Sequence, residues 1–460
     1  MKMPPVDRRR FLNTSAQTGL AALAGVAALG SSPKPARGAR PISANDKITL
    51  AIVGINGRGR VLGPGFAERP DCQVAYLCDV LTSGFGPRSK DIEDLQHKSP
   101  QTVQDFRRAL DDKSVDAIVV ATPDHWHALA TVWGCQAGKH VYVEKPVSQS
   151  PWEGRKMVEA ARKYKRVVQA GLQNRSAPYN MEAKAYIDSG KLGRIHMCRV
   201  YNQKPWPNRA AVPDAPTPAS LDWNMWQGPA PEHKYNVNLH RYWNHFWRYS
   251  GGDIINDGIH QMDLARWLIG RDYPKAVYST GGRFDTQGVA ETPDTQVAVY
   301  DFDDLVMTFE LTLYANYMIK SDMALRNTEE YPHWPQNGTR VEIYGTEGLM
   351  IAGRHGDGWQ VFGRTHQRKP VIVAQGNGNF PDPEHKQNFC EAIRENKLPS
   401  ADIEQGHRST LLSEYANISY RLGGQKLLID AQTETCIGNP QANALLKREY
   451  RSPWIVPDSV

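Results

Sequence analysis

Five short apolar runs alternate with helical patterns over residues 46–171, and this alternation limits the possible folds more than any other feature of the chain. The runs are residues 47–53, 73–78, 115–121, 141–143 and 167–170, with helical patterns near 101–110, 124–138 and 152–165. Strands that alternate with helices pair in parallel, because each helix carries the chain back across the sheet. We therefore predict a parallel, doubly wound sheet of the α/β class over residues 46–171.

After residue 195 the pattern changes to strands that follow one another with few helices between them. The runs are residues 195–201, 276–281, 295–302, 306–313, 340–345 and 348–352. Successive strands indicate a large, mostly antiparallel open sheet, so residues 172–440 are predicted to form a second α/β domain. An aromatic-rich insertion at 203–250 interrupts this domain, and a tail follows at 441–460. The open sheet face favours a homodimer or homotetramer.

Residues 1–45 have the composition of an export signal followed by a linker. Residues 1–40 hold seven Lys and Arg against one Asp, a net +6 that equals the charge of the whole chain. The remainder is neutral, which argues against nucleic acid as a partner. Arg8-Arg9-Arg10-Phe11-Leu12 resembles the twin-arginine motif, and the apolar run at 16–30 is too short to span a bilayer. We predict export to the periplasm, or otherwise out of the cell, by the twin-arginine machinery; a disordered basic N-terminus is the alternative, and signal cleavage stays open.

A glycine-rich turn, Gly54-Ile55-Asn56-Gly57-Arg58-Gly59, follows the first strand and precedes a helical pattern. Glycines in this position let the backbone approach a pyrophosphate at the N-terminus of the helix. The usual G-x-G-x-x-G spacing falls on Gly54, Asn56 and Gly59, so the middle glycine is missing. Gly57 and the tolerance of Asn for left-handed backbone can compensate. The turn is a candidate dinucleotide cradle; a tight strand–helix turn without a ligand is the alternative.

Asp79 ends the second strand, about twenty residues after the turn, where such folds place an acidic residue. Its carboxylate can accept hydrogen bonds from a ribose 2′-hydroxyl and would repel a 2′-phosphate. The spacing favours NAD over NADP; a helix cap is the alternative role.

Two further strand ends carry polar groups. Thr122 and Pro123 begin a helical pattern, which capping alone can explain, and His127 is a candidate for contact with the nicotinamide half of the cofactor. Glu144-Lys145-Pro146 closes the run at 141–143, at the sheet edge where ligands bind in open α/β folds. A lysine at this edge can have its pKa tuned for proton transfer.

A helical pattern covers residues 256–269 and places three polar residues, Asn256, His260 and Asp263, on one face of an otherwise apolar segment. Polar groups on such a face are costly to bury without a role. We assign Asp263 to a buried hydrogen-bond network. The neighbouring glycine pair and Asn256 favour a functional role for His260 over that of a core histidine.

The order of the glycine-rich turn, Asp79, Thr122-Pro123, Glu144-Lys145-Pro146 and the segment from Gly251 to Asp263 resembles the Gfo/Idh/MocA oxidoreductases. The resemblance implies a Rossmann domain, an α/β domain with a large open sheet, a bound NAD(P), and oxidation of a sugar or polyol at a hydroxyl-bearing carbon. It places Lys145 and His260 at the reacting carbon. Two positions depart from the family pattern: Asn256 stands where Asp is common, with Asp257 next to it, and Asn56 replaces the middle glycine.

On this basis His260 is the predicted general base and Lys145 holds the substrate oxygen, or the two exchange roles. Asn256 or Asp257 would orient the imidazole, and Glu144 would hold Lys145 or the nicotinamide ribose. The predicted cofactor-binding residues are Gly54, Asn56, Gly57, Arg58, Gly59, Asp79, Thr122, Pro123, His127, Glu144, Lys145 and Gln173. The predicted substrate-binding residues are Arg175, Trp206, Trp226, His240, Arg241, Asn244 and Trp247; an aromatic core or interface is the alternative for this second set. The six cysteines show no metal-ligand spacing, so no metal is predicted.

Export constrains the reaction, because an enzyme that works where NAD is scarce must keep its cofactor and restore it at each turnover. The leading hypothesis is an NAD-dependent oxidoreductase that acts on a secondary hydroxyl of a sugar, glycoside or polyol, with tightly held cofactor. An NAD-recycling enzyme that cleaves glycosides by oxidation, elimination and re-reduction is the first alternative. A non-catalytic sensor that binds NAD and a sugar is the second.

Overall fold

The computed structural model describes residues 47–206, 209–284, 288–320, 322–364 and 369–460. The predicted twin-arginine segment lies outside these residues. Among the described helices, none combines the length and the apolar character needed to cross a membrane.

The N-terminal domain contains a six-stranded, all-parallel sheet in the order β3-β2-β1-β4-β5-β6. Its strands are β1 (Ile48–Val53), β2 (Cys72–Cys78), β3 (Gln101–Val103), β4 (Ala117–Val120), β5 (His140–Val143) and β6 (Val168–Ala170). The helices that follow them are α1 (Gly59–Ala67), α2 (Phe85–Gln96), α3 (Arg107–Asp111), α4 (His127–Gln136) and α5 (Pro151–Lys163). This is the predicted doubly wound sheet.

One prediction in this domain is wrong, since residues 101–110 do not form a helix throughout. They begin with the edge strand β3, and only α3 is helical. β3 is three residues long and is bonded only to β2, so its sequence carries too few alternating positions to indicate a strand.

The second domain is built on a ten-stranded sheet in which only β7 and β10 pair in parallel. Its strands are β7 (Ile195–Gln203), β8 (Ala276–Gly282), β9 (Thr295–Asp301), β10 (Val306–Thr312), β11 (Arg340–Gly345), β12 (Gly348–Gly353), β13 (Trp359–Gly363), β14 (Val371–Gly376), β15 (Leu427–Asp430) and β16 (Thr435–Cys436). The helices are α6 (Pro178–Asp188), α7 (Trp223–Gln227), α8 (Val237–Arg241), α9 (Asp253–Asn256), α10 (Ile259–Ile269), α11 (Asp382–Glu395), α12 (Ile403–Arg421) and α13 (Pro440–Ala444). The predicted fold class is confirmed.

One face of the large sheet packs on α10 and α12, whose apolar side chains share a core with alternate residues of β7 to β11. The C-terminal part of the chain returns to the first domain. Phe389 of α11 contacts Phe66 and Tyr142 edge-on, and Trp454 near the C-terminus packs against Trp126. These contacts fix α10 and α11 beside the carboxyl ends of the parallel strands, where the polar residues of the first domain lie.

Candidate active site

A cavity of about 840 Å³ lies at the carboxyl edge of the parallel sheet, and both domains line it. Its volume is that of a site for a large cofactor together with a small substrate. The lining includes the glycine-rich turn, the ends of β2, β4 and β5, His260 on α10, and residues that follow β10 and β12.

The glycine-rich turn is packed so closely that two of its positions require glycine. Gly54 has φ +85°, and a Cβ at this residue would lie 2.7 Å from the carbonyl oxygen of Ala121. A Cβ at Gly59 would lie 1.8 Å from the carbonyl oxygen of Gly54. Gly57, with φ +47°, faces open space. The predicted left-handed backbone at Asn56 is wrong; this residue contributes its side chain instead.

Asp79 ties the turn to the end of β2. Its Oδ2 accepts hydrogen bonds from the Ile55 amide at 2.9 Å and from Nδ2 of Asn56 at 3.2 Å, and Oδ1 accepts from the Leu81 amide at 2.8 Å. Burial raises the pKa of the Asp79 carboxyl, and these hydrogen bonds oppose the shift. A carboxylate has about four acceptor positions, so one remains for a ligand in the cavity.

The turn and its neighbours fit a dinucleotide. Gly57 leaves open space above the start of α1, where backbone amides bind phosphate. Thr122 and Pro123 line the cavity, and the Thr122 hydroxyl is buried without a hydrogen-bond partner in the structure. A buried hydroxyl of this kind is costly unless a ligand bonds to it.

Arg58 bridges the two domains, because it bonds Glu144 of the first domain and Asp382 of α11. Nε of Arg58 donates to Oε1 of Glu144 at 3.1 Å, and its Nη2 donates to Oδ1 of Asp382 at 2.7 Å. Gln173 lies beside Glu144 and also lines the cavity. The prediction that Glu144 holds the Lys145 ammonium is wrong, because this carboxylate bonds the Arg58 guanidinium and reaches only the backbone amide of Lys145.

Lys145 reaches across the cavity to the second domain. Its Nζ donates to the carbonyl oxygen of Asn256 at 2.6 Å and lies 3.4 Å from Oδ1 of the same residue. The lysine is therefore held by neutral oxygens, and its charge stays available to a ligand.

His260 lies on α10 at the same cavity, and its side chain is almost fully buried. Its Nδ1 has no hydrogen-bond partner in the structure. Burial, together with the positive charges of Arg354 and Lys145, holds the pKa of His260 well below its usual value. The imidazole is neutral at physiological pH, which is the form that accepts a proton.

Two family models match most of the chain. Residues 48–172 match an oxidoreductase family with an NAD-binding Rossmann fold, and residues 184–421 match the C-terminal alpha/beta domain of the same family. The chain belongs to the Gfo/Idh/MocA oxidoreductase family. The predictions of an oxidoreductase and of NAD as the cofactor are confirmed.

Several curated relatives carry the names of sugar or polyol dehydrogenases. Levoglucosan dehydrogenase of Pseudarthrobacter phenanthrenivorans is 28% identical over 259 residues, which cover 54% of the chain and 58% of that enzyme. The scyllo-inositol 2-dehydrogenase (NAD(+)) of Bacillus subtilis is 25% identical over 307 residues, which cover 64% of the chain and 72% of that enzyme. A solved structure of levoglucosan dehydrogenase with NADH and levoglucosan covers 85% of the chain, and the chain covers all of it, at 19% identity and a TM-score of 0.62. At this identity, the solved structure supports the fold alone.

In this oxidoreductase the predicted orientation of His260 by its neighbours is wrong. Asp257 accepts hydrogen bonds from Lys204 at 2.5 Å and from Arg354, and pairs with Lys320 at 2.9 Å. The helix predicted over residues 256–269 begins later, since α9 ends at Asn256 and α10 begins at Ile259. Gly258 between them has no room for a side chain, because a Cβ there would lie 2.5 Å from the Phe309 ring. Asp257 is therefore the centre of an ion-pair cluster, and Asn256 bonds Lys145 instead.

His127 does not line the cavity, which contradicts its predicted contact with the cofactor. Its ring is buried between two backbone carbonyls, with Nδ1 at 2.6 Å from the oxygen of Pro146 and Nε2 at 2.9 Å from that of Thr122. The histidine therefore joins two loops of the first domain and positions the residues on either side of them.

Of the predicted substrate-binding residues, the oxidoreductase places only Trp226 and His240 at the cavity. Trp226 stacks on Trp223 with ring centroids 4.5 Å apart, and His240 packs edge-on against Trp226.

The other five lie elsewhere, because their side chains are used in packing or are exposed. Arg175 donates to Asp263 at 2.8 Å, a buried pair that matches the network role assigned to Asp263. Trp206 lines a separate small pocket, and Arg241 is exposed. Asn244 contacts His245, and Trp247 stacks on Tyr420.

Sequence reasoning missed several residues of the cavity: Asp124, Trp243, Lys320, Arg326, Arg354 and His355. Burial raises the pKa of the Asp124 carboxyl to about 7, with Lys145 and a 2.5 Å hydrogen bond from Ser250 opposing the shift. Lys320 and Arg326 lie in a segment without helix or strand pattern. The pair Arg354-His355 directly after β12 is the one signal that the sequence offered.

Proposed function

We propose that this oxidoreductase acts on a secondary hydroxyl of a sugar, glycoside or polyol, and that its dinucleotide stays bound between turnovers. The observation that carries the proposal is the convergence of Lys145 and His260, from different domains, in the cavity that also contains the glycine-rich turn and Asp79. Relatives named for levoglucosan and inositol oxidation support a carbohydrate or polyol as the substrate.

The dinucleotide, held by the glycine-rich turn, Asp79 and Thr122, would supply the hydride acceptor or donor. His260 is neutral and takes the hydroxyl proton as general base. Lys145, with a free positive charge, stabilises the oxygen anion that develops at the same carbon. Arg58, itself bonded to Glu144, holds α11 against the turn through Asp382.

Retention of the cofactor is supported by residues 220–226, which we call the strap. The strap is hydrogen-bonded to the loop after Asp79: the Thr82 amide donates to the Ser220 carbonyl at 2.9 Å, and the Asp222 amide donates to the Val80 carbonyl at 3.0 Å. Nε1 of Trp126 donates to the Trp226 carbonyl at 3.0 Å. Met225 and Trp226 of the strap then line the cavity.

The strap favours slow exchange of the cofactor, because Met225 and Trp226 would cover part of a dinucleotide bound beside Asp79. This supports the redox-neutral reactions that export would require. Delivery to the periplasm by the twin-arginine machinery and assembly into a dimer or tetramer remain part of the proposal. Exposed Tyr278, Val297 and Val306 on the open sheet face support assembly.

The test follows the reduced-nicotinamide absorbance of the purified holoenzyme while sugars, glycosides and polyols are added one at a time. A change in absorbance with a matching oxidised or reduced product supports the proposal. Glycoside cleavage that forms product without a net change in the nicotinamide absorbance identifies the NAD-recycling enzyme instead. Sugars that bind without a change in absorbance and without product would contradict the proposal and favour the non-catalytic sensor.

A further inference from the structure

We propose that the substrate carries a carboxylate, and that Arg326 and Lys320, which follow β10 in the second domain, bind it in the cavity. The inference rests on the proposed function for its reaction, and it names the substrate class of that site. Both side chains line the cavity together with Lys145 and His260.

The first observation is a cluster of positive charge beside His260. Three cations, Lys204, Lys320 and Arg354, converge on Asp257. Lys204 is shared with Asp253 at 3.0 Å. Lys320 is the most exposed of the three, with 41% of its side chain accessible, so its ammonium can reach a ligand in the cavity.

Arg326 adds a further positive charge to the lining of the cavity. Its guanidinium lies over the Phe380 ring at 5.1 Å, and its Nε is buried without a hydrogen-bond partner in the structure. The nearby Asp357 attracts Arg326, while Arg354 repels it. Buried guanidinium donors normally bond a carboxylate or phosphate, so an unbonded one at a cavity indicates a ligand anion.

The cofactor does not explain this charge as well as a substrate does. The pyrophosphate is expected at the backbone amides of the glycine-rich turn in the first domain, and the arginine of that turn, Arg58, already bonds Glu144 and Asp382. With a neutral sugar, the N–H groups of Arg326 could donate only to hydroxyl oxygens. A carboxylate can accept two parallel N–H bonds from a guanidinium.

An acidic substrate would also aid the chemistry. Burial, together with the positive charges of Arg354 and Lys145, holds the pKa of His260 low, which weakens it as a base. Burial, Arg354 and Arg326 lower the pKa of His355 in the same way, and its ring lies 4.3 Å from that of His260. A bound carboxylate offsets these charges, so the imidazole becomes a stronger base when the correct substrate is present.

The experiment is calorimetric titration of the holoenzyme with matched pairs that differ in the acid group: D-glucuronate and D-glucose, D-galacturonate and D-galactose, D-gluconate and D-glucitol. We expect at least one acid to bind about tenfold or more tightly than its neutral partner, as one charge-assisted pair allows. Arg326→Gln and Lys320→Met should each reduce that preference severalfold. Arg271→Gln, on an exposed arginine paired with Asp304, is the matched control and should retain it.

Three results would overturn the inference: equal binding within every pair, a preference that neither variant reduces, or looser NAD binding in Arg326→Gln with the acid preference retained. The last assigns the guanidinium to the cofactor pyrophosphate. The proposed function fails separately. If neutral sugars reduce the bound nicotinamide but acids bind no more tightly, only the proposed carboxylate site is wrong. If acids bind with the predicted preference but no sugar changes the nicotinamide, the carboxylate site is supported and the proposed reaction is wrong.

Discussion

The two walls of the cavity differ in how completely several of their polar groups are satisfied. On the wall of the first domain, Asp79 accepts three hydrogen bonds and Arg58 bonds Glu144 and Asp382, while the neutral Thr122 hydroxyl has no partner. On the wall of the second domain, His260 has an unbonded ring nitrogen and Arg326 an unbonded guanidinium nitrogen. The first wall is preorganised by its own hydrogen bonds, whereas the second has unbonded donors and acceptors that a substrate can use at each turnover.

The difference indicates which ligand each wall serves. A retained cofactor needs a rigid site whose own hydrogen bonds persist when it binds. A substrate site gains more from groups that become bonded only in the complex, because those interactions add specificity and transition-state stabilisation. Breaking one wall should therefore affect cofactor binding, and breaking the other should affect turnover.

The largest effect is expected where the walls meet. Lys145→Ala and His260→Ala should each lower kcat by about 10²–10⁴, the range for loss of a group in proton transfer. Bound NAD content should stay near that of the wild type, because the turn and Asp79 are untouched. Steady-state rates and cofactor content after gel filtration check this, with the exposed Lys191→Ala and His196→Ala as controls. Near-wild-type turnover in both variants would contradict the assignment of Lys145 and His260 to the reaction.

A large effect on stability is expected behind the second wall. Asp263→Ala leaves the Arg175 guanidinium buried without its main partner, which should lower the free energy of unfolding by about 3–5 kcal/mol. Denaturant titration measures it, and Asp304→Ala at an exposed pair is the control. A loss no greater than that of the control would show that the pair does not hold α10 in place.

On the first wall, Asp79→Asn removes the charge that would repel a 2′-phosphate. We expect NADP affinity to rise by roughly tenfold relative to NAD, a change of about 1.4 kcal/mol. Fluorescence titration of the cofactor-free protein with both dinucleotides gives the ratio, and kcat should change less than in the lysine and histidine variants. An unchanged ratio of NADP to NAD affinity would mean that Asp79 stabilises the turn but does not select the cofactor.

The smallest effect concerns Asp124, which lies at the junction of the walls. Its carboxyl has a pKa raised to about 7 by burial, so it is protonated below pH 7 and ionised above, where it favours the Lys145 ammonium. The pH dependence of kcat should show a few-fold step near pH 7 that disappears in Asp124→Asn. A step that persists in the variant would belong to another group.

The sequence predicted the first wall better than the second for a physical reason. Gly54, Asp79 and Lys145 lie at the ends of regular parallel strands, and strand ends share one edge of the sheet. Lys320 and Arg326 lie in an irregular segment whose position is set only by tertiary packing. The aromatic residues of the insertion were predicted as substrate-binding from composition alone. Composition cannot distinguish Trp226, which lies at the cavity, from Trp247, which packs against Tyr420.

The central claim is that hydride moves between a sugar carbon and a retained nicotinamide beside Lys145 and His260. The direct measurement is mass spectrometry of the cofactor released by acid quench within the first turnover, after holoenzyme that contains oxidised NAD is mixed with a carbon-deuterated sugar and before the label can return to a product. The account predicts a deuterium on the nicotinamide ring with the wild type and none with Lys145→Ala or His260→Ala. A cofactor that stays free of deuterium while the wild type forms product would contradict it.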